Sequence, residues 1–136
     1  MIQFRGRVKV GNNHTEKGME VIGYLYFSRE KMEYIIISTG TAESGGVEGC
    51  SGLVEVHNVI EKETIAVSTG VKDKNGIDIY GDYTSGNGAD MVLYQEKVYE
   101  VCWNEHMLTW VIDNEQGQIS LKDCSDKCKV INKGKK

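Results

Sequence analysis

The sequence predicts an all-β protein, built mainly as an antiparallel sandwich or a small barrel, with at most one or two short helical turns. Short runs of β-branched and aromatic residues recur along the 136-residue chain between polar turn clusters. No window of about twelve residues keeps the apolar period of an amphipathic helix. Proline is absent and glycine occurs 16 times, so the turns must be built from Gly, Asn and Asp.

The first half of the chain contains three predicted strands. Residues 20–27 and 34–38 are joined by a charged turn, and a glycine-rich loop over 40–52 leads to a strand over 53–59. We expect this loop to be mobile. The best helical candidate, residues 59–67, is short and rich in β-branched side chains, so we expect a single helical turn there.

The middle of the chain predicts a tight hairpin around the tetrapeptide DKNG. Its strands are residues 65–71 and 77–80. In one arrangement Asp73 caps a type I turn through its side chain and Gly76 takes a positive φ at a bulge. In the other, Asn75 and Gly76 form a two-residue type I′ turn. Both arrangements give a β-hairpin.

The last third contains the clearest hairpin, with strands at 97–103 and 107–112 around the turn NEH. Trp103 and Trp110 are expected to face each other across it, where an aromatic pair stabilises the sheet. Two further short strands are predicted at residues 116–121 and 127–131. They can supply sheet edges and so offer sites for pairing between copies of the chain.

Charge and composition favour one domain over residues 1–132 followed by a basic tail over 133–136. The formal net charge is −4, but both ends are basic and the body between them is acidic. Basic ends can contact nucleic acid; the candidate contacts are Arg5, Arg7, Lys133, Lys135 and Lys136. A solvated tail is the favoured interpretation.

The sequence indicates a cytoplasmic protein without membrane contact. The first ten residues have three cations and no long apolar run, and no stretch of about 18 apolar residues is present. The four cysteines, Cys50, Cys102, Cys124 and Cys128, are therefore expected to stay reduced, with Cys102 buried.

Residues 69–84, TGVKDKNGIDIYGDYT, are rich in acids and glycines but fit neither a calcium loop nor a phosphate loop. Counted from Asp73, the calcium loop needs glycine at its sixth position, where Asp78 stands, and glutamate at its twelfth, where Thr84 stands. The spacing from Gly70 to Gly76 does not match a phosphate loop, and no Lys-Ser/Thr pair follows. No cofactor is predicted.

No catalytic residue is predicted either. His14, His57 and His106 are scattered, and Cys50 lies in the glycine-rich loop. A zinc hypothesis joins Cys102 and His106 to Cys124 and Cys128. The favoured interpretation is a buried thiol at 102, an exposed turn histidine, and two surface thiols, so no metal ligand is predicted.

The aromatic residues have two interpretations. They can form a base-stacking platform on a barrel, but such platforms accompany a basic groove, and this body is acidic. Packing in the core and the hairpins is therefore the favoured interpretation for Tyr24, Tyr26, Phe27, Tyr94, Tyr99, Trp103 and Trp110.

The segment STGVKDKNGIDIYGD resembles the signature of the YopX-like family of phage and prophage proteins. FRGR at 4–7, GMEVIGYLYF at 18–27 and DKCKVIN at 126–132 are similar to other parts of that family. The resemblance implies a β-rich fold and a phage or prophage origin, without an activity to transfer. Its structural signature residues in this chain are Asp73, Asn75, Gly76, Tyr80 and Asp82.

One departure from that signature falls after Tyr80, where Gly81 alone replaces the family's Glu-Gly pair. This reshapes the turn that positions Asp82 or shifts the register of the following strand. We expect Asp82 to have a structural role, capping backbone N–H groups.

Together these observations predict a non-catalytic, self-associating interaction protein encoded by a phage or prophage. The alternative is a small-barrel nucleic-acid-binding protein, which would use the basic residues at both ends. An enzyme is the remaining hypothesis, and the sequence does not favour it.

Overall fold

A computed structural model describes residues 2–42, 52–84 and 88–132 of the chain. Over these residues the strands are β1 (Phe4–Val10), β2 (Glu20–Ser28), β3 (Glu33–Ala42), β4 (Gly52–Ile60), β5 (Ala66–Lys72), β6 (Asp78–Asp82), β7 (Met91–Tyr94), β8 (Lys97–Asn104), β9 (Thr109–Asn114), β10 (Gly117–Ser120) and β11 (Lys129–Asn132). Short helical turns cover Lys62–Thr64, then α1 (Leu121–Cys124) with the 3₁₀ turn Ser125–Lys127.

The strands form two antiparallel sheets, which confirms the predicted all-β class. The first sheet has the order β2-β3-β4-β1-β5-β6, and the second has the order β10-β9-β8-β7-β11. Because β2 also pairs with β1, the strands β1 to β4 close into a ring, and β5 and β6 extend from it.

The ring encloses the first hydrophobic core. Alternation along each strand turns one set of apolar side chains inward. The buried residues of this core are Val8, Val21, Ile36, Ile60 and Ile65.

A polar side chain, Asn58 of β4, is fully buried beside this core. Its Oδ1 accepts a hydrogen bond of 2.8 Å from the Thr15 hydroxyl, and its Nδ2 donates to the Ile36 carbonyl at 3.0 Å and to Ser38 Oγ at 2.8 Å. With both ends of the amide partnered, Asn58 ties the β1–β2 connection to the ring at little desolvation cost.

The second core lies where the five-stranded sheet packs on β6 and α1. It contains Ile79, Val92, Tyr99, Val101, Ile112, Leu121, Cys124 and Cys128. The helical turn after β10 therefore adds Leu121 and Cys124 to a core that the strands mainly build.

Several element predictions are confirmed. The hairpin predicted over 65–71 and 77–80 is formed by β5 and β6, and the helical turn predicted within 59–67 is the 3₁₀ turn Lys62–Thr64. The strands predicted at 116–121 and 127–131 correspond to β10 and β11, which are the two edges of the five-stranded sheet.

Other boundaries were wrong. The strand predicted over 34–38 extends to Ala42, and β4 begins at Gly52, so the ends of the glycine-rich stretch pair as strands; residues 43–51 lie outside the described residues. In the tryptophan hairpin the second strand begins at Thr109 instead of 107. The cause is a longer turn, in which Asn104 Oδ1 accepts N–H bonds from His106 and Met107.

Strand β7 was not predicted at all. It is joined to β8 by Gln95 and Glu96, which both adopt positive φ, at 49° and 65°. A tight turn with this geometry normally uses Asn and Gly, so the sequence carried no usual turn signal here. In the part of the chain that is described, no helix is long and apolar enough to cross a membrane.

Candidate functional site

The DKNG turn between β5 and β6 is a type I turn capped by Asp73. Its Oδ1 accepts N–H bonds from Asn75 at 2.8 Å and Ile77 at 2.9 Å, and its carbonyl accepts from the Gly76 N–H at 3.0 Å. Gly76 has φ of 77°, whereas Asn75 does not adopt a positive φ. The arrangement with a capping aspartate and a glycine bulge is therefore the one formed, and the type I′ alternative was wrong.

Asp73 also joins this turn to the edge of the second sheet. Its Oδ2 accepts a 2.9 Å hydrogen bond from the Val130 N–H of β11, and the Lys74 N–H donates to the Cys128 carbonyl at 3.0 Å. Asp73 is only 5% exposed. One carboxylate thus shapes a local turn and fixes the hairpin to a strand far along the chain.

Two opposing effects act on the pKa of Asp73. Burial raises it, but the backbone N–H donors of Val130, Ile77 and Asn75, together with the charge of Lys74, outweigh the burial. The net result is a lowered pKa, because each of these donors stabilises the ionised carboxylate.

Arg5 is not an accessible nucleic-acid contact, so this prediction was wrong. Its side chain is 4% exposed, and its Nη2 lies 2.8 Å from Asp90 Oδ1 and 3.0 Å from the Gly88 carbonyl. The guanidinium also lies 4.5 Å from the centre of the Tyr80 ring. A buried charge needs such partners, and they leave Arg5 no surface for a phosphate.

Of the other predicted nucleic-acid contacts, Arg7 lies within the described residues. Arg7 is half-buried, and its Nη1 donates to the Gly18 carbonyl at 3.3 Å. The remaining three fall outside the described residues: Lys133, Lys135 and Lys136.

Tyr80 and Asp82, the last two signature residues, both have structural partners. Tyr80 is buried, and burial together with the charge of Asp78 raises the pKa of its hydroxyl. The Tyr80 N–H donates to Asp90 Oδ2 at 2.9 Å. Asp82 Oδ1 accepts a 3.2 Å hydrogen bond from the Gly88 N–H, which confirms the predicted capping role.

Gly81, the residue at which the chain departs from the family signature, lies against Trp110. A Cβ at this position would overlap the six-membered ring of that indole. The absence of a side chain therefore lets β6 approach β9 and seats the tryptophan.

We expect Gly81→Ala to lower the free energy of unfolding by about 1–3 kcal/mol, because the added methyl group overpacks the contact. Urea denaturation followed by far-UV circular dichroism measures this change. The matched test is the double variant Gly81→Ala/Trp110→Leu, in which a smaller side chain at 110 makes room for the methyl group and should recover part of the loss. Gly70→Ala cannot serve as a control, because Gly70 has positive φ. If Gly81→Ala is as stable as the parent, the contact does not restrict this position.

The burial predicted for the cysteines was wrong, although Cys124 and Cys128 are free thiols as expected; Cys50 lies outside the described residues. Cys124 and Cys128 are fully buried and not at the surface, with their Sγ atoms 3.7 Å apart, whereas Cys102 is only half-buried. The cause is the helical segment over residues 121–127: it carries Cys124 in α1 and leads directly to Cys128, so both thiols lie in the second core. Burial and the neighbouring Cys124 raise the pKa of the Cys128 thiol to about 12, so it remains protonated.

The four residues of the zinc hypothesis do not come together. His106 is exposed in the β8–β9 turn, away from the buried pair of thiols. The described residues contain no group of three or more His, Cys, Asp or Glu side chains arranged to hold a metal ion.

The tryptophan hairpin lines a concave surface. Trp103 and Trp110 pair across β8 and β9, as predicted, with ring centres 5.2 Å apart and planes at 72°. Beside them a cleft of about 600 Å³ opens between this hairpin and the end of β6. We call it the tryptophan cleft; its polar and aromatic lining is Asp82, Tyr83, Glu100, Trp103, Glu105 and Trp110.

The prediction of core and hairpin packing holds for most of the aromatic residues. Tyr94, Tyr99 and Trp110 lie in or against the second core. Trp103 and Phe27 are partly exposed but pack across hairpins, on Trp110 and Tyr34. For Tyr24 and Tyr26, whose side chains are 51% and 39% exposed, core packing was wrong.

Sequence reasoning missed the acidic members of these sites. Asp90 follows the sequence GNGA at 86–89, and Glu105 stands in a turn. Neither position has a local signal, since their roles depend on which strand packs beside them.

No protein-family model matches the chain, and no curated protein matches it significantly. The fold and the cleft define it as an all-β protein of two antiparallel sheets. Its acidic, aromatic cleft lies between the β8–β9 hairpin and the end of β6.

Proposed function

We propose that this chain is a non-catalytic interaction protein that self-associates by pairing the edge of β10 with the same edge of a second copy. We further propose a YopX-like phage or prophage origin, which rests on the sequence signature, and a cytoplasmic location, which rests on the composition of the chain. The observation that carries the proposal of self-association is a difference between the outer strands of the two sheets.

In two outer strands, β6 and β11, an outward-facing backbone N–H group donates a hydrogen bond to a carboxylate. On β6 the Tyr80 N–H donates to Asp90 Oδ2, and on β11 the Val130 N–H donates to Asp73 Oδ2, both at 2.9 Å. A carboxylate at an edge satisfies the donor and repels an approaching strand carbonyl. These two edges are therefore protected against pairing.

No such carboxylate bond to β10 occurs among the described residues. Asn114 and Gly117 flank the two-residue turn that joins β9 to β10. Hydrogen-bonded and non-hydrogen-bonded pairs alternate in an antiparallel ladder, so the N–H groups of Gln118 and Ser120 face away from β9. They are available as donors to a second strand.

Antiparallel pairing of two β10 strands about a two-fold axis would be self-complementary, as closed symmetric dimers require. It would also join the two five-stranded sheets into one continuous sheet. A short edge strand gives only a few hydrogen bonds, so we expect association that depends on protein concentration.

The test is Gln118→Pro, which removes an outward N–H and places a ring at the edge. Proline is tolerated there in the monomer because this N–H makes no ladder bond. Multi-angle light scattering should give a mass rising toward twice 15.2 kDa for the parent at high concentration and a monomer for the variant.

Gln118→Ala is the matched control. It loses the side-chain contacts of Gln118 with Asn104 and Asp113 but retains the backbone N–H, so it should associate like the parent. A parent that stays monomeric at about 1 mM, or a proline variant that associates normally, contradicts the proposal.

A further inference from the structure

Two aromatic side chains that line the tryptophan cleft are about half exposed to solvent. Trp103 is 47% exposed and Tyr83 is 51% exposed. Exposed tryptophan is costly in water, and clustered exposed aromatic residues mark binding surfaces. This cleft is therefore a candidate for an unassigned ligand.

The aromatic walls are held in place by their neighbours. Trp110 rests on Gly81 and pairs with Trp103, while the Tyr83 ring contacts Phe4 edge-on with ring centres 5.1 Å apart. The walls are thus positioned before any ligand arrives, which lowers the entropy cost of binding.

The charged side chains among the described residues that line the cleft are all acidic. Asp82, Glu100 and Glu105 contribute carboxylates, and no lysine or arginine is among the described residues that line the cleft. Asp82 is further fixed by the Gly88 N–H. Phosphate groups would be repelled here, whereas a cation would be attracted by the carboxylates and by the faces of the indole rings.

A second groove extends the surface beyond Trp110. It has a volume of about 560 Å³ and shares Val67 and Trp110 with the cleft. Its lining includes Asp78, which forms a 3.0 Å ion pair with Lys72. The two grooves together suit an extended chain better than an isolated small amine.

We infer that the tryptophan cleft binds the guanidinium group of an arginine side chain carried by a basic polypeptide segment of a partner protein. Guanidinium is planar, stacks on indole and pairs with carboxylates through two parallel N–H bonds. An ammonium group has the charge but lacks the planar shape. This inference does not depend on strand pairing at β10.

Binding is tested with three acetylated, amidated pentapeptides in which glycine alternates with arginine, lysine or glutamine. Isothermal titration calorimetry at low ionic strength should give the arginine peptide an affinity at least about tenfold above that of the glutamine peptide and about threefold above that of the lysine peptide. Adding salt should weaken the binding.

Two variants locate the site on the protein. Glu105→Gln, in an exposed turn, should weaken the arginine peptide about threefold, and Trp103→Leu about fivefold. Glu115→Gln, an exposed acid in the β9–β10 turn, is the matched control and should bind as the parent does. Circular dichroism confirms that each variant is folded.

Equal affinity for the arginine and glutamine peptides, or for the arginine and lysine peptides, would overturn the inference. So would equal changes in the affinity for the arginine peptide on Glu105→Gln and Glu115→Gln. Tight binding of a single-stranded oligonucleotide that Trp103→Leu abolishes would assign the cleft to nucleic acid instead.

Discussion

Arg5→Met is expected to lower the free energy of unfolding by about 3–5 kcal/mol, the largest effect of any single substitution considered. The change leaves the Asp90 carboxylate in a fully buried position without the guanidinium that contacts it at 2.8 Å. It also removes the cation above the Tyr80 ring. Urea denaturation at neutral pH measures the loss.

Arg7→Met is the control for this prediction, because Arg7 lies on the same strand but is half-buried, and its guanidinium makes a long, 3.3 Å contact with the Gly18 carbonyl. We expect it to cost less than about 1 kcal/mol. The double variant Arg5→Met/Asp90→Asn should recover part of the loss, since the uncompensated charge is gone. Equal costs at Arg5 and Arg7 would show that the buried ion pair does not stabilise the fold.

Asp73→Asn is expected to lower the free energy of unfolding by about 1–3 kcal/mol at neutral pH. The amide has one acceptor oxygen in place of two, so the N–H groups of Asn75, Ile77 and Val130 are no longer all satisfied. Both the turn and its attachment to β11 should weaken.

The same variant should change the pH dependence of stability. The pKa of Asp73 is lowered in the folded protein, so its contribution is fully present above the unfolded pKa of about 4 and is lost as the pH falls through the folded value. The difference between the parent and Asp73→Asn should therefore narrow from pH 7 toward pH 3.

Asp78→Asn provides the control at an exposed carboxylate on the same hairpin. Its ion pair with Lys72 is at the surface, so the expected cost is about 0–1 kcal/mol. A difference between the parent and Asp73→Asn that stays constant from pH 7 to pH 3 would contradict the lowered pKa.

Local rules predicted the elements whose geometry depends on near neighbours. The DKNG hairpin follows from the capping ability of Asp73 and the positive φ open to Gly76. The tryptophan pair follows from alternation on two adjacent strands. Turns without the usual residues escaped this reasoning, as Gln95 and Glu96 show, because their conformation is imposed by the strands they connect.

Burial was less predictable than strand position. Cys124 and Cys128 look like surface residues in a polar, lysine-rich segment, yet α1 and the 3₁₀ turn after it place both thiols in the second core. Trp103 looks like a core residue and is half exposed. Hydrophobicity alone does not decide which side of a short element faces inward, because that depends on the element packed against it.

By itself, the sequence determined that this protein is all-β, where its tightest hairpin forms, and which strands end its second sheet. Those features rest on backbone preferences and alternation within short segments. Only the tertiary structure decided the partners of Arg5 and Asp73, which are separated by 85 and 57 residues from Asp90 and Val130. Such contacts depend on how the two sheets pack together, because no local pattern records which distant group will satisfy a buried charge.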